Sequence, residues 1–267
     1  MTDGRKIIFL DIDGTLSWYG APPCDADVAA LRRARAAGHI VLINTGRSRG
    51  ILPDVFVGVD YLDGYLCGCG TSLILNDQVI FDAALGKDLL RDISAYFLHQ
   101  PGRCCLFEAW EGAYLIQCDT DFDPWPTAPR VRHADDFDTI YKDAHVTKLT
   151  GYGNITAGEY DLFRGRLVPV VQSSGHWYEA ILPGTGKGEG IRRACQTLGI
   201  PIENSIAIGD SDNDLDMFAA AGIAVAMEEA SATALAAARY KTGRCGYGGV
   251  ARAINALVFG EGALDPI

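Results

Sequence analysis

The feature that most constrains this chain is a short apolar run that ends abruptly in acid. Lys6 to Leu10 reads Lys-Ile-Ile-Phe-Leu, and Asp11-Ile12-Asp13-Gly14-Thr15 follows without a break. An apolar run with no polar alternation predicts a strand buried on both faces. A helix is expected next, capped by Asp25 or Asp27 and running to Ala37. Val28, Leu31 and Ala34/Arg35 keep a three-to-four spacing there, and Gly38 is a good stop. His39 to Asn44 is then a second strand. Strand, helix and strand at this length imply a right-handed crossover in a parallel sheet. Ligands of such open sheets bind beyond the carboxyl ends of the strands, which is where Asp11 and Asp13 fall.

Further strands are expected at Tyr65 to Cys69, Ser72 to Leu75 and Gln78 to Phe81, with a hairpin turn at Asn76-Asp77. The middle of the chain reads differently. A helix at Asp88 to Leu98 precedes paired strands over Arg103 to Cys118 that turn at Glu111-Gly112. Asp121 to Pro129 holds three of the eleven prolines and must be irregular. Strand-like runs follow at Val146 to Thr150, Val168 to Gln172 and Trp177 to Leu182. This mixed stretch has the character of an insertion. The alternating pattern then returns: helix Lys187 to Leu198, strand Ser205 to Ile208, helix Asp214 to Ala221 and strand Ile223 to Met227. Helices at Ser231 to Arg239 and Val250 to Phe259 complete it. These elements predict a discontinuous α/β core, residues 1–81 and 183–267, around an α+β insertion at 82–182.

Composition excludes some partners. A nucleic-acid binder usually needs a basic face, so a net charge of −11 argues against that partner, though not against small phosphorylated ligands, which a local cation can hold. No segment nears the roughly 18 apolar residues of a membrane span. Ile7 to Leu10 is also too short for a signal-peptide core, so a cytoplasmic protein is expected. The eight cysteines lack the paired spacing of a zinc site and are expected to pack as small apolar thiols.

Four segments carry chemistry. Asp11 and Asp13, one residue apart, project to the same side and repel unless a cation or proton intervenes. Asn44-Thr45-Gly46-Arg47 sets a hydroxyl and backbone N–H groups at a strand end, which suits a phosphate oxygen. Gly184-Thr185-Gly186-Lys187-Gly188 invites a P-loop reading, but Ile181 and Gly188 stand where that motif needs Gly and Ser/Thr. What remains is a lysine at a helix start. Gly209-Asp210-Ser211-Asp212-Asn213-Asp214 mimics a calcium loop, yet Leu215 and Ala221 replace its Gly and Glu. Any one of these segments also fits an ordinary loop. Together they supply acids for a metal, a hydroxyl, a lysine and an amide, the inventory for phosphoryl transfer.

In that order, Asp11-Ile-Asp13-Gly-Thr-Leu16, Thr45, Lys187 and Gly209-Asp-Ser-Asp-Asn-Asp214 resemble the four motifs of the haloacid dehalogenase (HAD) superfamily. The insertion resembles that superfamily's C2-type cap, more narrowly the Cof-like type IIB sugar-phosphatase branch. Cys69-Gly-Thr71-Ser-Leu-Ile74 departs from that branch's Asn-Gly-Ala segment by Cys and Thr. Glu228 stands where its Gly-Ile-Ala-Met-Gly-Asn segment has Asn.

The resemblance implies a Rossmann-like parallel-sheet core and a Mg²⁺-dependent phosphatase acting on a small phosphorylated metabolite. It implies Asp11 as nucleophile and Asp13 as acid/base. Mg²⁺ would lie on Asp11, the Asp13 carbonyl and Asp210, with Asp214 behind them. Thr45, Gly46, Lys187 and Asn213 would take the phosphoryl oxygens. The cap would contact the leaving group, with Glu108, Trp110, His145, Lys148, His176 and Trp177 as candidates. The expected assembly is a monomer or homodimer. Alternatives are a phosphomutase of the same superfamily, or a non-catalytic sensor of phosphorylated ligands.

Overall fold

The computed structural model describes residues 4–18, 20–117, 124–171 and 175–267. Along the chain, β1 (Ile7–Leu10), α1 (Asp25–Ala36), β2 (Ile40–Asn44), β3 (Gly64–Cys67), β4 (Ser72–Leu75) and β5 (Gln78–Asp82) come first. The intervening stretch carries α2 (Lys87–Leu98), β6 (Cys104–Ala109), β7 (Ala113–Gln117), β8 (Arg130–Val131), β9 (Val146–Tyr152), α3 (Ala157–Phe163), β10 (Val168–Val171) and β11 (Trp177–Ile181). Last come α4 (Lys187–Leu198), β12 (Ser205–Gly209), α5 (Leu215–Ala220), β13 (Ile223–Ala226), α6 (Ala232–Ala237), β14 (Tyr240–Lys241), α7 (Gly249–Phe259) and β15 (Asp265–Pro266). Among the described residues no helix is long and apolar enough to cross a membrane.

Two compact units result. The first comprises Met1–Gly46, Pro53–Phe81 and Thr185–Ile267, and the second Arg47–Leu52 and Asp82–Gly184. The first holds a sheet in the order β15-β14-β13-β12-β1-β2-β3-β4-β5. From β14 to β3 every neighbour is parallel; β4 runs antiparallel to β3, and β15 to β14. All four residues of β1 are fully buried between β12 and β2. Burying each such side chain stabilises the fold by roughly 1.5–3 kcal/mol, so the strand that delivers Asp11 is among the best anchored. Asn76 and Asp77 both take left-handed φ, +47° and +61°, as a two-residue hairpin turn requires.

The second unit is a sheet in the order β10-β11-β9-β6-β7-β8. Alternation along β6 divides it into two faces. Cys105, Phe107 and Ala109 join Leu90, Ile93 and Phe97 of α2 and Phe163 of α3 in one cluster, while Cys104 and Leu106 join Ala113 and Leu115 in another. Arg47–Leu52, read from sequence as core, groups with this unit. Ser48 donates from its N–H to Glu108 and from its hydroxyl to the Ala109 carbonyl.

Several local expectations change. Neither Asp25 nor Asp27 caps α1, whose N-cap is Cys24. Asp27 is instead buried and accepts the Ala251 N–H at 2.7 Å, tying α1 to α7. The helix expected to reach Arg239 stops at Ala237, because Tyr240–Lys241 joins the sheet as β14. Asp214 belongs to a 3-10 turn, Asp212–Asp214, that leads into α5. The α3 helix is new, although Thr156 and Glu159 form a capping box whose Thr-x-x-Glu spacing is visible in the sequence. Six of the cysteines (67, 69, 104, 105, 195 and 245) are buried and Cys24 is partly so, while Cys118, Asp121–Asp123 and Gln172 lie outside the described residues.

Candidate active site

The first unit gathers acids and a lysine at the carboxyl ends of its parallel strands. Asp11 directly follows β1 and donates its N–H to the Ile208 carbonyl of β12 at 3.0 Å, so its backbone extends the sheet by one residue. Asp210 follows β12. Lys187 is the first residue of α4 and is 2% exposed. Its Nζ lies 2.7 Å from Asp11 Oδ1, 2.6 Å from Asp214 Oδ1 and 3.1 Å from Asn213 Oδ1.

Asp214 uses both oxygens. Oδ1 takes Lys187, and Oδ2 accepts the N–H groups of Asp210 at 2.8 Å and Ser211 at 3.0 Å. It therefore organises the turn that carries Asp210. The Asp210 carboxylate accepts the Thr15 hydroxyl at 2.9 Å. Gly14 makes room for it: at φ +89° a Cβ would sit 2.4 Å from Asp210 Oδ2. Thr15 was visible in the first motif, but no sequence signal paired it with a residue 195 positions away.

Electrostatics follow from burial. Desolvation pushes Asp11 up to about 8, and the Asp214 and Asp210 carboxylates add to it against the pull of Lys187. Asp210 rises to about 6, again chiefly through burial, with Asp214 repulsion next and a smaller contribution from Asp13. Burial disfavours the Lys187 ammonium, but Asp11 and Asp214 outweigh it and hold the charge more firmly than in an ordinary lysine.

Three carboxylates here face one ammonium. Asp11, Asp210 and Asp214 each offer an oxygen within 4.8 Å of the others. An all-oxygen set of surplus negative charge fits a hard divalent cation such as Mg²⁺. Because both Asp214 oxygens are already engaged, Asp11 and Asp210 are the better donors of the three.

The remaining expected residues lie around this cluster. Asp13 sits in the loop after β1, bridged to Ser17 and close enough to raise Asp210. Thr45 is 2% exposed at the end of β2, with its N–H on the Leu66 carbonyl and its own carbonyl accepting from Cys69. Gly46 is the next residue, half-buried. Asn44 just before them reaches the Lys187 carbonyl through Nδ2 at 3.1 Å, linking the β2 end to the lysine. Of the insertion candidates, Glu108 and Lys148 meet within the second unit, as do Trp110 and His145.

The family model described as haloacid dehalogenase-like hydrolase matches residues 8–254. A HAD subclass IIB sugar phosphatase of known structure is similar at a TM-score of 0.77 and 25% identity, over 96% of this chain and 99% of that one. A haloacid dehalogenase-like hydrolase from B. subtilis gives a TM-score of 0.79 at 21% identity, over 95% and 100%. A HAD phosphatase from Bacteroides thetaiotaomicron gives 0.75 at 22%, over 94% of each. A curated relative, the chloroplastic endoribonuclease YBEY of Arabidopsis thaliana, is 25% identical over 226 residues, 77% of this chain. The match spans only 38% of that protein's length.

Proposed function

We propose that this chain, which belongs to the haloacid dehalogenase-like hydrolases and within them to the Cof-like type IIB group, is a Mg²⁺-dependent phosphatase of a small phosphorylated metabolite such as a sugar phosphate. The observation that carries the reading is the buried Lys187 ammonium held between Asp11 and Asp214. A fixed cation beside a strand-end carboxylate suits a nucleophile that must approach a phosphoryl dianion. We take the two units as a core domain and an inserted cap.

In this reading an Asp11 carboxylate oxygen bonds to phosphorus while the bond from phosphorus to the ester oxygen breaks. Asp13 gives its proton to the departing alkoxide. The aspartyl-phosphate on Asp11 is then hydrolysed by water, whose proton Asp13 takes up. Lys187, Thr45, the Gly46 N–H and the Asn213 amide hold the phosphoryl oxygens. Asp11, the Asp13 carbonyl and Asp210 would hold the metal, with Asp214 behind them; bound there, it neutralises charge on the transferring group. Asp214 keeps Lys187 charged and the Asp210 turn folded.

The test is release of inorganic phosphate from a panel of phosphorylated metabolites, with Mg²⁺ and with EDTA. Asp11→Asn is expected to lose at least about 10³-fold in kcat while staying folded. Hydrolysis by Asp11→Asn near the wild-type rate removes the nucleophile. Release from a hexose phosphate without a bisphosphate activator distinguishes a hydrolase from a phosphomutase.

A further inference from the structure

The Lys187–Gly188 peptide is gripped at both ends. Its carbonyl oxygen accepts from Asn44 Nδ2 at 3.1 Å, and its N–H donates to Asp216 Oδ2 at 2.8 Å. Asn44 ends β2 and is fully buried; Asp216 is an exposed residue of α5. Two elements outside α4 thus hold one peptide of its first turn, where N–H groups lack intrahelical partners and a carboxylate is favoured.

Asn44 Oδ1 has no hydrogen-bond partner among the described residues. A buried amide that leaves its oxygen unpaired pays a desolvation cost for the one bond it makes, to Lys187. Asp216 also explains the small residues flanking the lysine. A Cβ at Gly186 would lie 2.5 Å from Asp216 Oδ2, and one at Gly188 would lie 2.4 Å from the Asp216 carbonyl oxygen. Gly186 also takes φ +147°, so the Gly-Lys-Gly that imitates a P-loop reflects both that backbone turn and the approach of Asp216.

We propose that Asn44 and Asp216 are positioning residues for Lys187: they fix the orientation of its peptide, and through it the point where the ammonium meets Asp11. This rests on the reading of Lys187 as the phosphoryl-binding cation.

Three variants, Asp216→Ala, Asp216→Asn and Asn44→Ala, test it on the full chain. The probes are p-nitrophenyl phosphate with Mg²⁺ for turnover and tungstate for binding, the latter by calorimetry. Asp216→Ala is expected to lower kcat roughly ten- to a hundred-fold with little change in KM or unfolding midpoint, and to weaken tungstate binding. Asp216→Asn keeps an acceptor oxygen and restores most of both. Asn44→Ala, compared per folded molecule by near-UV circular dichroism, moves in the same direction. A folded Asp216→Ala with wild-type kcat and tungstate affinity overturns the proposal, as does a loss confined to the unfolding midpoint. A wild type that hydrolyses no ester refutes the phosphatase reading. The tungstate arm then still decides the positioning: weaker binding by Asp216→Ala supports it and equal binding overturns it.

Discussion

Lys187 and Lys148 are both 2% exposed and both touch two carboxylates, yet their partners arrive by different routes. Lys148 stands in the middle of β9. Glu108 faces it in register from β6, Glu179 comes from β11 on the other side, and the Thr150 hydroxyl donates to Glu108 at 2.6 Å. That group stitches three adjacent strands, and the sheet ladder fixes it. Only one partner of Lys187 touches the ladder: Asp11 extends β1 by a single residue through its N–H to Ile208, whereas Asn213 and Asp214 come from the turn after β12. Asp214 is held there by the Asp210 and Ser211 N–H groups. The ladder cluster contains two acids for one ammonium, with Thr150 and the Ser48 N–H as added donors; the strand-end cluster contains three. Similar ingredients brace a sheet in one place and leave surplus charge for chemistry in the other.

The largest expected effect separates the two lysines. Lys187→Ala should lower phosphatase kcat by about 10³-fold or more through loss of charge at the transferring group, measured as phosphate release. Activity near wild type would erase the distinction. Next, Lys148→Met leaves two buried carboxylates without their cation and should destabilise the fold by about 3–5 kcal/mol, the range for breaking a buried pair. Denaturant unfolding measures it, and an unchanged midpoint concentration would mean that Lys148 is not a brace.

The surplus charge predicts a pH dependence. Asp11 rises from 3.8 to about 8 and Asp210 from 3.8 to about 6 on folding. A carboxyl with a higher pKa folded than unfolded favours the fold while protonated. Its contribution is complete below the unfolded value and is lost as pH climbs through the folded one. The melting temperature of metal-stripped protein should therefore fall between about pH 4 and pH 8, and Mg²⁺ should raise it most at the upper end. Scanning calorimetry with and without EDTA tests this; a metal increment independent of pH contradicts it. The smallest effect is a control far in sequence from every motif. Thr156→Ala removes the α3 cap and should cost about 1 kcal/mol without altering kcat.

Much of the first unit was legible because its signals are local. An apolar run, an abrupt acid and a helix stop locate β1, α1 and β2 to within two residues. Asn76-Asp77 announces its own turn. The candidate site residues were legible as a set because they fall in the segments just beyond strand ends or at a helix start. Their pairings were not: Thr15 with Asp210, and Asn44 and Asp216 with the Lys187–Gly188 peptide, join positions far apart in sequence. Asp27 was misread because an acid at a helix start suits capping, and only the fold brings Ala251 beside it. The shortest strands, β8, β14 and β15, have two residues each, too few for any periodicity. The end of α6 was lost with them.

The register of the central strand has a consequence for how this molecule comes into being. Ile7 pairs with Ser205 on one side and with Ile40 on the other. As the chain emerges during synthesis, β1 finds its β2 partner early, but its other edge stays open until β12 has been made. Contacts of such sequence separation close slowly, and an apolar strand waiting with one open edge is a place where nascent chains stick to one another. Asp11 extends that same strand, so the cluster it belongs to cannot assemble until translation has passed Asp214.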